Sequence, residues 1–411
     1  MKNIEHKLNS RSSNDINLSN ANYSSHKELN IQNFGKIDTR EIGPSIQNIH
    51  EHIFEEDLTN VIDELVDLSF KDLNKGTEEN IRKRNFLGYI NEYNVKPKEI
   101  YNWLLNNQIS SNSIYLLGYF KYYGIETNTD TKKAFGLIQK AQELGNDLAQ
   151  LYLANMYIDG EGVEKDYKKA FDLSKKSVEK EAPDGMNKLG CCYEYGFGTN
   201  INMQKAFEFY KKAADLGNLH GMYNLGDCYE NGIGTDIDKK KAFKLYEKVA
   251  NLGYSHGIYY LGRCYKKGIG TEINAQKAFE LYQKAADLGN SDGVNSLGCC
   301  YDDGIGAEVN KQKAFKLFQK AADLGHLYGM NNLGCCYYNG IGTEVNKKKA
   351  IELYQKAATL GNRLAQYNLA NMYKRGNWIE KDIDQAIYWY KKSAEQGYQL
   401  AQKKLKKLLK E

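Results

Sequence analysis

A short stretch of the chain, residues 295–315, brings together side chains that bind metal ions and phosphates. Its sequence is NSLGCCYDDGIGAEVNKQKAF, in which two adjacent cysteines precede two carboxylates and a glycine pair. Thiolates and carboxylates are zinc ligands, and closely spaced glycines before a helix can surround a phosphate with backbone N–H groups. The stretch therefore raises the choice between a metal site, a phosphate loop and a structural turn. The residues concerned are Cys299, Cys300, Asp302, Asp303, Gly304 and Gly306.

The segments that carry this stretch recur with a period of 36 residues. Units begin at residue 113 and at every 36th residue after it, so that eight units fill residues 113–400 without an insertion. The fifth place of a unit is always Leu, the twelfth always Gly and the twenty-second always Ala. Apolar or small residues at places 1, 2, 5, 6, 8 and 9 have helical spacing, and a second helical pattern fills places 22–32. Each unit is therefore predicted to be a helix, a glycine turn and a second helix, usually ended by a glycine at place 33.

Stacking of the units follows from their size, because one helix pair cannot bury its apolar face alone. Two helices that cross at about 8–10 Å need small residues at the crossing. By analogy with other helix-pair arrays, we predict an all-α fold, a right-handed superhelical α-solenoid of stacked antiparallel helix pairs. The expected close approaches are Gly190 to Ala206, Gly226 to Ala242 and Gly298 to Ala314.

The regions outside the eight units have different patterns. Residues 1–50 are rich in Asn, Ser and Lys without periodicity, and we predict that they are disordered. Residues 51–112 are predicted to be helical and to end in a shortened, degenerate capping repeat. Residues 401–411 are predicted to form a single capping helix after the array.

One junction between units departs from the pattern. In the unit that begins at Ala149, Glu181 replaces the closing glycine and Pro183 follows. A residue other than glycine is strained in the left-handed conformation, and proline prevents continuation of the helix. We therefore expect a local break in the stacking near residues 180–184.

The repeats favour a structural explanation for the glycine pair and the cysteines. The G-I-G sequence follows a helix and returns in four consecutive units, whereas a phosphate loop normally follows a strand. Five cysteines hold place 8, where other units have Phe or Met, and the other three hold place 7. Cysteines one unit apart lie about 10 Å apart, beyond the disulfide Cα separation of about 4.4–6.8 Å. We predict free thiols with no metal and no cofactor, and only the place-7 thiols have a possible redox role.

The charge and the apolar runs of the sequence indicate which class of partner and which cellular location to expect. A net charge of +4 over 411 residues is too small to predict a nucleic-acid or anionic membrane partner. The sequence has no run of about 18 apolar residues, and its first residues lack the apolar stretch of a secretory signal. We therefore expect a cytoplasmic location, where thiols stay reduced.

The unit pattern resembles a known repeat family. It reads A/G-x-x-x-L-G-x-x-Y-x-x-G-x-G-x-x-x-D/N-x-x-K-A-x-x-x-Y-x-K-A-A-x-x-G. This pattern is similar to the Sel-1-like repeats, which are relatives of the tetratricopeptide repeats, and the resemblance covers residues 113–400. It implies a non-catalytic scaffold or adaptor that binds other proteins, in signalling or complex assembly, without naming the partner.

The same resemblance indicates which residues would bind. Alignment with tetratricopeptide repeats places positions 3, 7, 10 and 11 of each unit on an inner concave wall, and these places vary from unit to unit. Asp302 and Asp303 are then expected to contact a partner and not a metal ion. The predicted protein-binding residues are Tyr223, Asp227, Glu230, Tyr259, Arg263, Lys266, Lys267, Asp302, Asp303, Lys374 and Arg375.

Two other functions compete with the scaffold. A helical-repeat array can bind RNA, but such a groove should be basic throughout, and the signs alternate at Glu230, Lys266, Asp302 and Lys374. An enzyme would need its chemistry outside the array, and residues 1–112 are short and poor in catalytic motifs. The scaffold is the predicted function, and RNA binding is the alternative.

Overall fold

A computed structural model of the chain describes residues 44–376 and 378–409, with side chains from residue 58 onward. The described residues form twenty α-helices and no strands. Contacts divide them into two compact units. The first unit holds residues 44–75 and 81–185, and the second unit holds residues 76–80 and 186–409. The all-α fold class predicted from the sequence is confirmed.

Three helices precede the repeats. They are α1 (Pro44–Asn74), α2 (Glu79–Glu92) and α3 (Pro97–Asn106). The predicted disordered segment lies outside the described residues up to residue 43, but its last residues, 44–50, belong to α1. Helix α1 buries one apolar face, which includes Leu58, Ile62 and Leu65. Helices α1 and α3 both pack against the first repeat helix, α4.

The eight repeats form sixteen helices of 13 residues each, followed by a final helix of 10 residues. Within the second unit, consecutive helices from α9 to α20 pack on one another. The helices are α4 (Ser111–Tyr123), α5 (Thr131–Glu143), α6 (Asp147–Asp159), α7 (Tyr167–Glu179), α8 (Pro183–Tyr195), α9 (Met203–Asp215), α10 (Leu219–Asn231), α11 (Lys239–Asn251), α12 (Ser255–Lys267), α13 (Ala275–Asp287), α14 (Ser291–Asp303), α15 (Lys311–Asp323), α16 (Leu327–Asn339), α17 (Lys347–Thr359), α18 (Arg363–Arg375), α19 (Ile383–Glu395) and α20 (Gln399–Leu408).

Local sequence signals fix the ends of these helices. The side chain of Asn290 accepts a hydrogen bond from the Gly293 N–H and so caps the start of α14. Gly304 ends the same helix in the left-handed conformation, with φ of +73°. The glycine pair of the opening stretch is therefore a helix end and a turn, as the repeats predict. Glu181 does adopt a left-handed φ of +55°, whereas the break in stacking expected beside it, and the handedness of the superhelix, stay predictions.

The core repeats with the units. The place-5 leucines and place-22 alanines of all eight units are buried, and so are the five place-8 cysteines. Of the three predicted approaches of a place-22 alanine to a place-6 glycine, only the one at Gly190 is among the closest contacts: a Cβ there would lie 3.3 Å from the Ala206 carbonyl oxygen, and even there the Tyr210 ring is closer. A Cβ on Gly226 would lie 2.8 Å from the Tyr246 ring, and one on Gly298 would lie 2.7 Å from the Phe318 ring. The place-26 aromatic ring, and not the place-22 alanine side chain, is what requires a glycine here.

The last helix, α20, packs on α19, and its role as a cap stays a prediction. Helix α20 begins two residues before the predicted segment, and Ala401 and Leu408 on it are buried. Leu409, which lies just beyond the helix, is 65% exposed.

Candidate functional site

The eleven predicted binding residues lie on four first helices of the second unit. Tyr223, Asp227 and Glu230 are on α10, and the residues numbered 259–267 are on α12. Asp302 and Asp303 are on α14, and the last two are on α18. We use the name first-helix face for the side chains at places 3, 4, 7, 10 and 11 of α10, α12, α14, α16 and α18. Of the eleven, the structure leaves Lys267, Asp303 and Arg375 exposed, and it makes the others partly or wholly buried.

Two of the predicted residues pair with each other across a repeat boundary. Arg263 on α12 forms an ion pair with Glu230 on α10, and both side chains are largely buried. The Tyr246 hydroxyl donates a hydrogen bond of 3.0 Å to the same carboxylate. The Arg263 guanidinium also lies 4.5 Å from the centre of the Tyr260 ring. Burial alone would lower the pKa of Arg263, but the Glu230 carboxylate raises it above its ordinary value.

The tyrosines of the first-helix face also contact other tyrosines of the array. The Tyr223 hydroxyl donates a 2.8 Å hydrogen bond to the Tyr260 hydroxyl of the next repeat. The Tyr259 ring lies 5.0 Å from the Tyr260 ring and 5.9 Å from the Tyr282 ring. Burial raises the pKa of Tyr223 and of Tyr259 well above 10. These rings form a packed layer between repeats, so little of their surface is open to a partner.

A ladder of side-chain amides joins successive first helices, and the sequence analysis missed it. In each rung a place-4 Asn donates its Nδ2 hydrogen to the Oδ1 of a place-3 Asn in the preceding repeat. The rungs are Asn224 to Asn187 at 2.8 Å, Asn332 to Asn295 at 3.0 Å and Asn368 to Asn331 at 2.9 Å. The signal was present in the sequence as Asn residues 37 positions apart. Place 3 therefore serves repeat-to-repeat contact in these units.

The acidic residues of the opening stretch differ from each other. Asp302 forms an ion pair of 2.7 Å with Lys311 at the start of α15, whereas Asp303 is exposed. On α10, Asp227 is buried and accepts a 2.9 Å hydrogen bond from Asn231. No group of three or more His, Cys, Asp or Glu side chains between residues 58 and 409 is arranged to hold a metal ion. Asp303 is thus the carboxylate here that stays open to a partner.

A cleft of about 210 Å³ opens between α16 and α18 on the first-helix face. Arg375, one of the predicted residues, lines it, and Lys374 precedes Arg375 on α18. Four other lining residues hold places 7, 10 and 11 but were not among the eleven predicted residues, and the remaining three come from places 4, 8 and 26, which the sequence pattern did not mark as part of the face. The lining residues are Cys335, Tyr338, Asn339, Tyr354, Asn368, Asn371, Met372 and Arg375.

All eight cysteines are free thiols, as predicted. The place-8 cysteines are buried and the place-7 cysteines are partly exposed. Burial raises the pKa of Cys299 and of Cys300 to about 11, despite the nearby Lys266 ammonium. Since the thiolate is the reactive form, both groups are poor nucleophiles at neutral pH.

We expect thiol alkylation to follow this arrangement. Denatured chain prepared without reductant should take up eight alkyl groups, and the native chain should react first at Cys191, Cys299 and Cys335. The rate at Cys299 should rise about tenfold for each pH unit between 7 and 10. Below the pKa of a thiol, the fraction present as the reactive thiolate increases by about this factor per pH unit. Mass spectrometry of the labelled peptides measures both. A native disulfide, or faster labelling of Cys300 than of Cys299, would contradict the structure.

The Arg263–Glu230 pair gives a second prediction. Arg263→Met should lower the free energy of unfolding by about 1–3 kcal/mol, because it leaves a largely buried carboxylate without its charged partner. Adding Glu230→Gln should restore part of the loss. Urea unfolding followed by circular dichroism measures both values. Lys267→Met, an exposed control one turn further on, should stay within about 0.5 kcal/mol of the parent, and an equal loss there would show that the pair has no special role.

Comparison with known sequences identifies the family. The sequence model of the Sel1 repeat matches eight consecutive segments that together make up well over half of the chain. The chain therefore belongs to the Sel1 repeat family. Proteins of this family are generally protein-interaction scaffolds and typically non-catalytic. The matched segments are residues 111–146, 147–181, 183–218, 219–254, 255–290, 291–326, 327–362 and 363–398.

Solved structures of bacterial repeat proteins are similar to this chain. One is a protective antigen of uropathogenic Escherichia coli with an SLR fold, 32% identical, with a TM-score of 0.45. The alignment covers 76% of this chain and 66% of the antigen, just under two thirds of its length. A Sel1 repeat protein from Oxalobacter formigenes is 27% identical over 75% of this chain and 89% of its own, with a TM-score of 0.47. No curated protein matches the chain significantly.

None of the helices between residues 44 and 409 is both long and apolar enough to cross a bilayer.

Proposed function

We propose that this chain is a non-catalytic scaffold or adaptor that binds a partner protein through the first-helix face, in complex assembly or signalling. The observation that carries the proposal is the cleft between α16 and α18, whose lining includes the exposed Arg375. Its lining mixes aromatic and thioether surface with amide groups, a composition that suits protein side chains. The face therefore offers a recess for an anchor side chain beside an open cation.

The remaining exposed charges define the rest of the proposed contact. Lys267, Asp303 and Arg375 lie on three different first helices and carry both signs. Mixed signs favour a partner segment of alternating charge over the uniformly anionic backbone of RNA. Binding should weaken as salt rises, because exposed ion pairs are screened. The other predicted residues contribute mainly by holding these helices in register.

The test reverses the charges of these three exposed residues. A triple variant, Lys267→Glu with Asp303→Lys and Arg375→Glu, should lose partner binding by at least about tenfold while keeping its helicity and melting temperature. Proximity biotinylation in the native cell identifies the partners, and titration of the purified partner measures the loss.

A matched control carries the same charge changes on the second helices. It combines Lys284→Glu, Asp323→Lys and Lys356→Glu, all of which are exposed. This variant should bind the partner as the parent does. Loss of binding in the control but not in the first triple variant would move the interaction site to the second-helix surface, and the proposal would fail.

A further inference from the structure

The turn that follows α1 lies on the ends of two repeat helices. The segment Gly76–Asn80, called here the Gly76–Asn80 turn, includes the first two residues of α2 and belongs to the second unit, together with the repeats it contacts. One carboxylate oxygen of Glu78, Oε1, accepts hydrogen bonds from the Ser255 N–H at 2.6 Å and the Ser255 hydroxyl at 2.7 Å. The His256 N–H is 3.3 Å and the His256 Nδ1 3.4 Å from the same oxygen. A carboxylate 177 residues away in sequence thus sits on the first two residues of α12.

The start of α12 lacks the cap that its neighbours have. Helices α10, α14, α16 and α18 are capped by side chains of their own N-cap residues. In α12 the N-cap residue is Tyr254, and its side chain makes no cap hydrogen bond. The first N–H groups of a helix need acceptors, and the positive end of the helix dipole favours an anion. The Glu78 carboxylate supplies both the hydrogen-bond acceptor and the negative charge at the start of α12, where the N-cap side chain supplies neither.

The backbone of the turn fits the neighbouring helix end closely. Gly76 has a φ of +72°, and a Cβ built on it would lie 2.9 Å from the backbone nitrogens of Leu219 and His220. Thr77, between the glycine and Glu78, is also buried. The turn therefore contacts α10 through a glycine and α12 through a glutamate, one repeat apart.

The site at the start of α12 is organised around the charged form of the carboxylate. Burial by itself would raise the pKa of Glu78, but hydrogen bonds and the charge of His256, with the Ser255 hydrogen bonds, lower it below its ordinary value. Ser255 is buried and receives a 3.3 Å hydrogen bond from Asn290, which helps to orient its hydroxyl. The groups around Glu78 are thus held by the repeats themselves.

We propose that the start of α12 is a carboxylate-binding site of the array and that the Gly76–Asn80 turn is its tethered ligand. The site selects a glutamate side chain through the Ser255 hydroxyl, two backbone N–H groups and the His256 ring. An acidic segment of a partner protein with a glutamate after a glycine turn would enter the same site when the tethered turn leaves. The site is separate from the cleft and exposed charges of the first-helix face, so either proposal can fail without the other.

Hydrogen exchange of the full chain tests the occupant. In Glu78→Ala the amides of Ser255 and His256 should exchange at least about tenfold faster than in the parent, because they lose a charged acceptor. Glu79→Ala, which removes the neighbouring carboxylate in α2, should leave both rates unchanged. Equal exchange in Glu78→Ala and the parent would overturn the proposal.

Adding the ligand back in trans tests the site. A peptide with the sequence of residues 73–80, LNKGTEEN, should slow the exchange of these two amides in the Glu78→Ala chain and have no effect on the parent, whose site is filled. The same peptide with Gln in place of Glu78 should not slow it. Equal protection by both peptides, or protection by neither at millimolar concentration, would show that Glu78 is only a structural cap, and the binding site would be rejected.

Discussion

Replacing Gly270 by alanine is expected to lower the free energy of unfolding of the second unit by about 2–5 kcal/mol, the sum of two costs. Gly270 holds place 14 of its repeat with a φ of +69°. A Cβ there would overlap the carbonyl oxygen of Lys239 at the start of α11 and would lie 2.8 Å from the Phe243 Cβ. The residue would be strained in the left-handed conformation, at about 1–2 kcal/mol, and the two repeats would have to move apart, at about 1–3 kcal/mol.

A second glycine separates the two costs. Gly253 also has a left-handed φ, of +80°, but a Cβ on it would meet no atom within 4 Å. Gly253→Ala should therefore cost only the conformational part, about 1–2 kcal/mol. Urea unfolding of the two variants, followed by circular dichroism, measures both. Equal losses in the two would show that the place-14 glycine is needed only for the turn and not for contact with the preceding repeat.

Place 14 of the eighth repeat is occupied by a residue other than glycine. Trp378 holds place 14 of the eighth repeat with a φ of +68°, and its side chain is 69% exposed. A larger residue can therefore adopt this conformation where the loop leaves it room. At Gly234, Gly306 and Gly342 a Cβ would overlap the backbone of the preceding second helix, as at Gly270. The sequence shows a repeated glycine in a turn, but only the structure shows that it is the contact between repeats.

The repeat period made most of the fold predictable. Helix existence, order and approximate ends follow from the 3.6-residue pattern, the place-12 and place-33 glycines and the N-cap Asn or Asp residues. The pattern does not say which residue of the partner helix faces a given place, so the place-6 glycines were assigned to alanines when the rings of Tyr246 and Phe318 face them. Spacing within a helix defines a face, whereas contacts across helices depend on their crossing.

The candidate site was less predictable for the same reason. Places 3, 7, 10 and 11 do lie together on first helices, but Glu230, Arg263 and Tyr223 are used by neighbouring repeats. Their partners come from place 4 and place 26, and no local pattern marks those places as part of the face. Glu78 is the extreme case, because nothing in its local sequence relates it to Ser255. Polar contacts across long sequence separations require the three-dimensional arrangement.

Leu261→Ala is the substitution expected to affect the core most, with a loss of about 2–5 kcal/mol in the free energy of unfolding. Leu261 is buried on α12, in a cluster with Ile258 of its own helix, Ala250 of α11 and Ala285 of α13. Truncation therefore leaves a cavity where α12 meets the two helices on either side of it, α11 and α13. The cavity left behind cannot close easily, because each of these helices is also held by another neighbour.

A leucine with little burial provides the control for this loss. Leu252 stands at the end of α11 and is 54% exposed, so the same change to alanine there should cost less than about 0.5 kcal/mol. Denaturant unfolding of both variants compares the loss of stability caused by the same leucine-to-alanine change in the core and at the surface. An unchanged midpoint for Leu261→Ala would mean that place 5 does not face the junction of the three helices, and the register assigned to all eight repeats would have to shift. A loss confined to Leu261→Ala would instead show that stability resides in the contacts between stacked repeats, which also hold the exposed charges of the first-helix face in place.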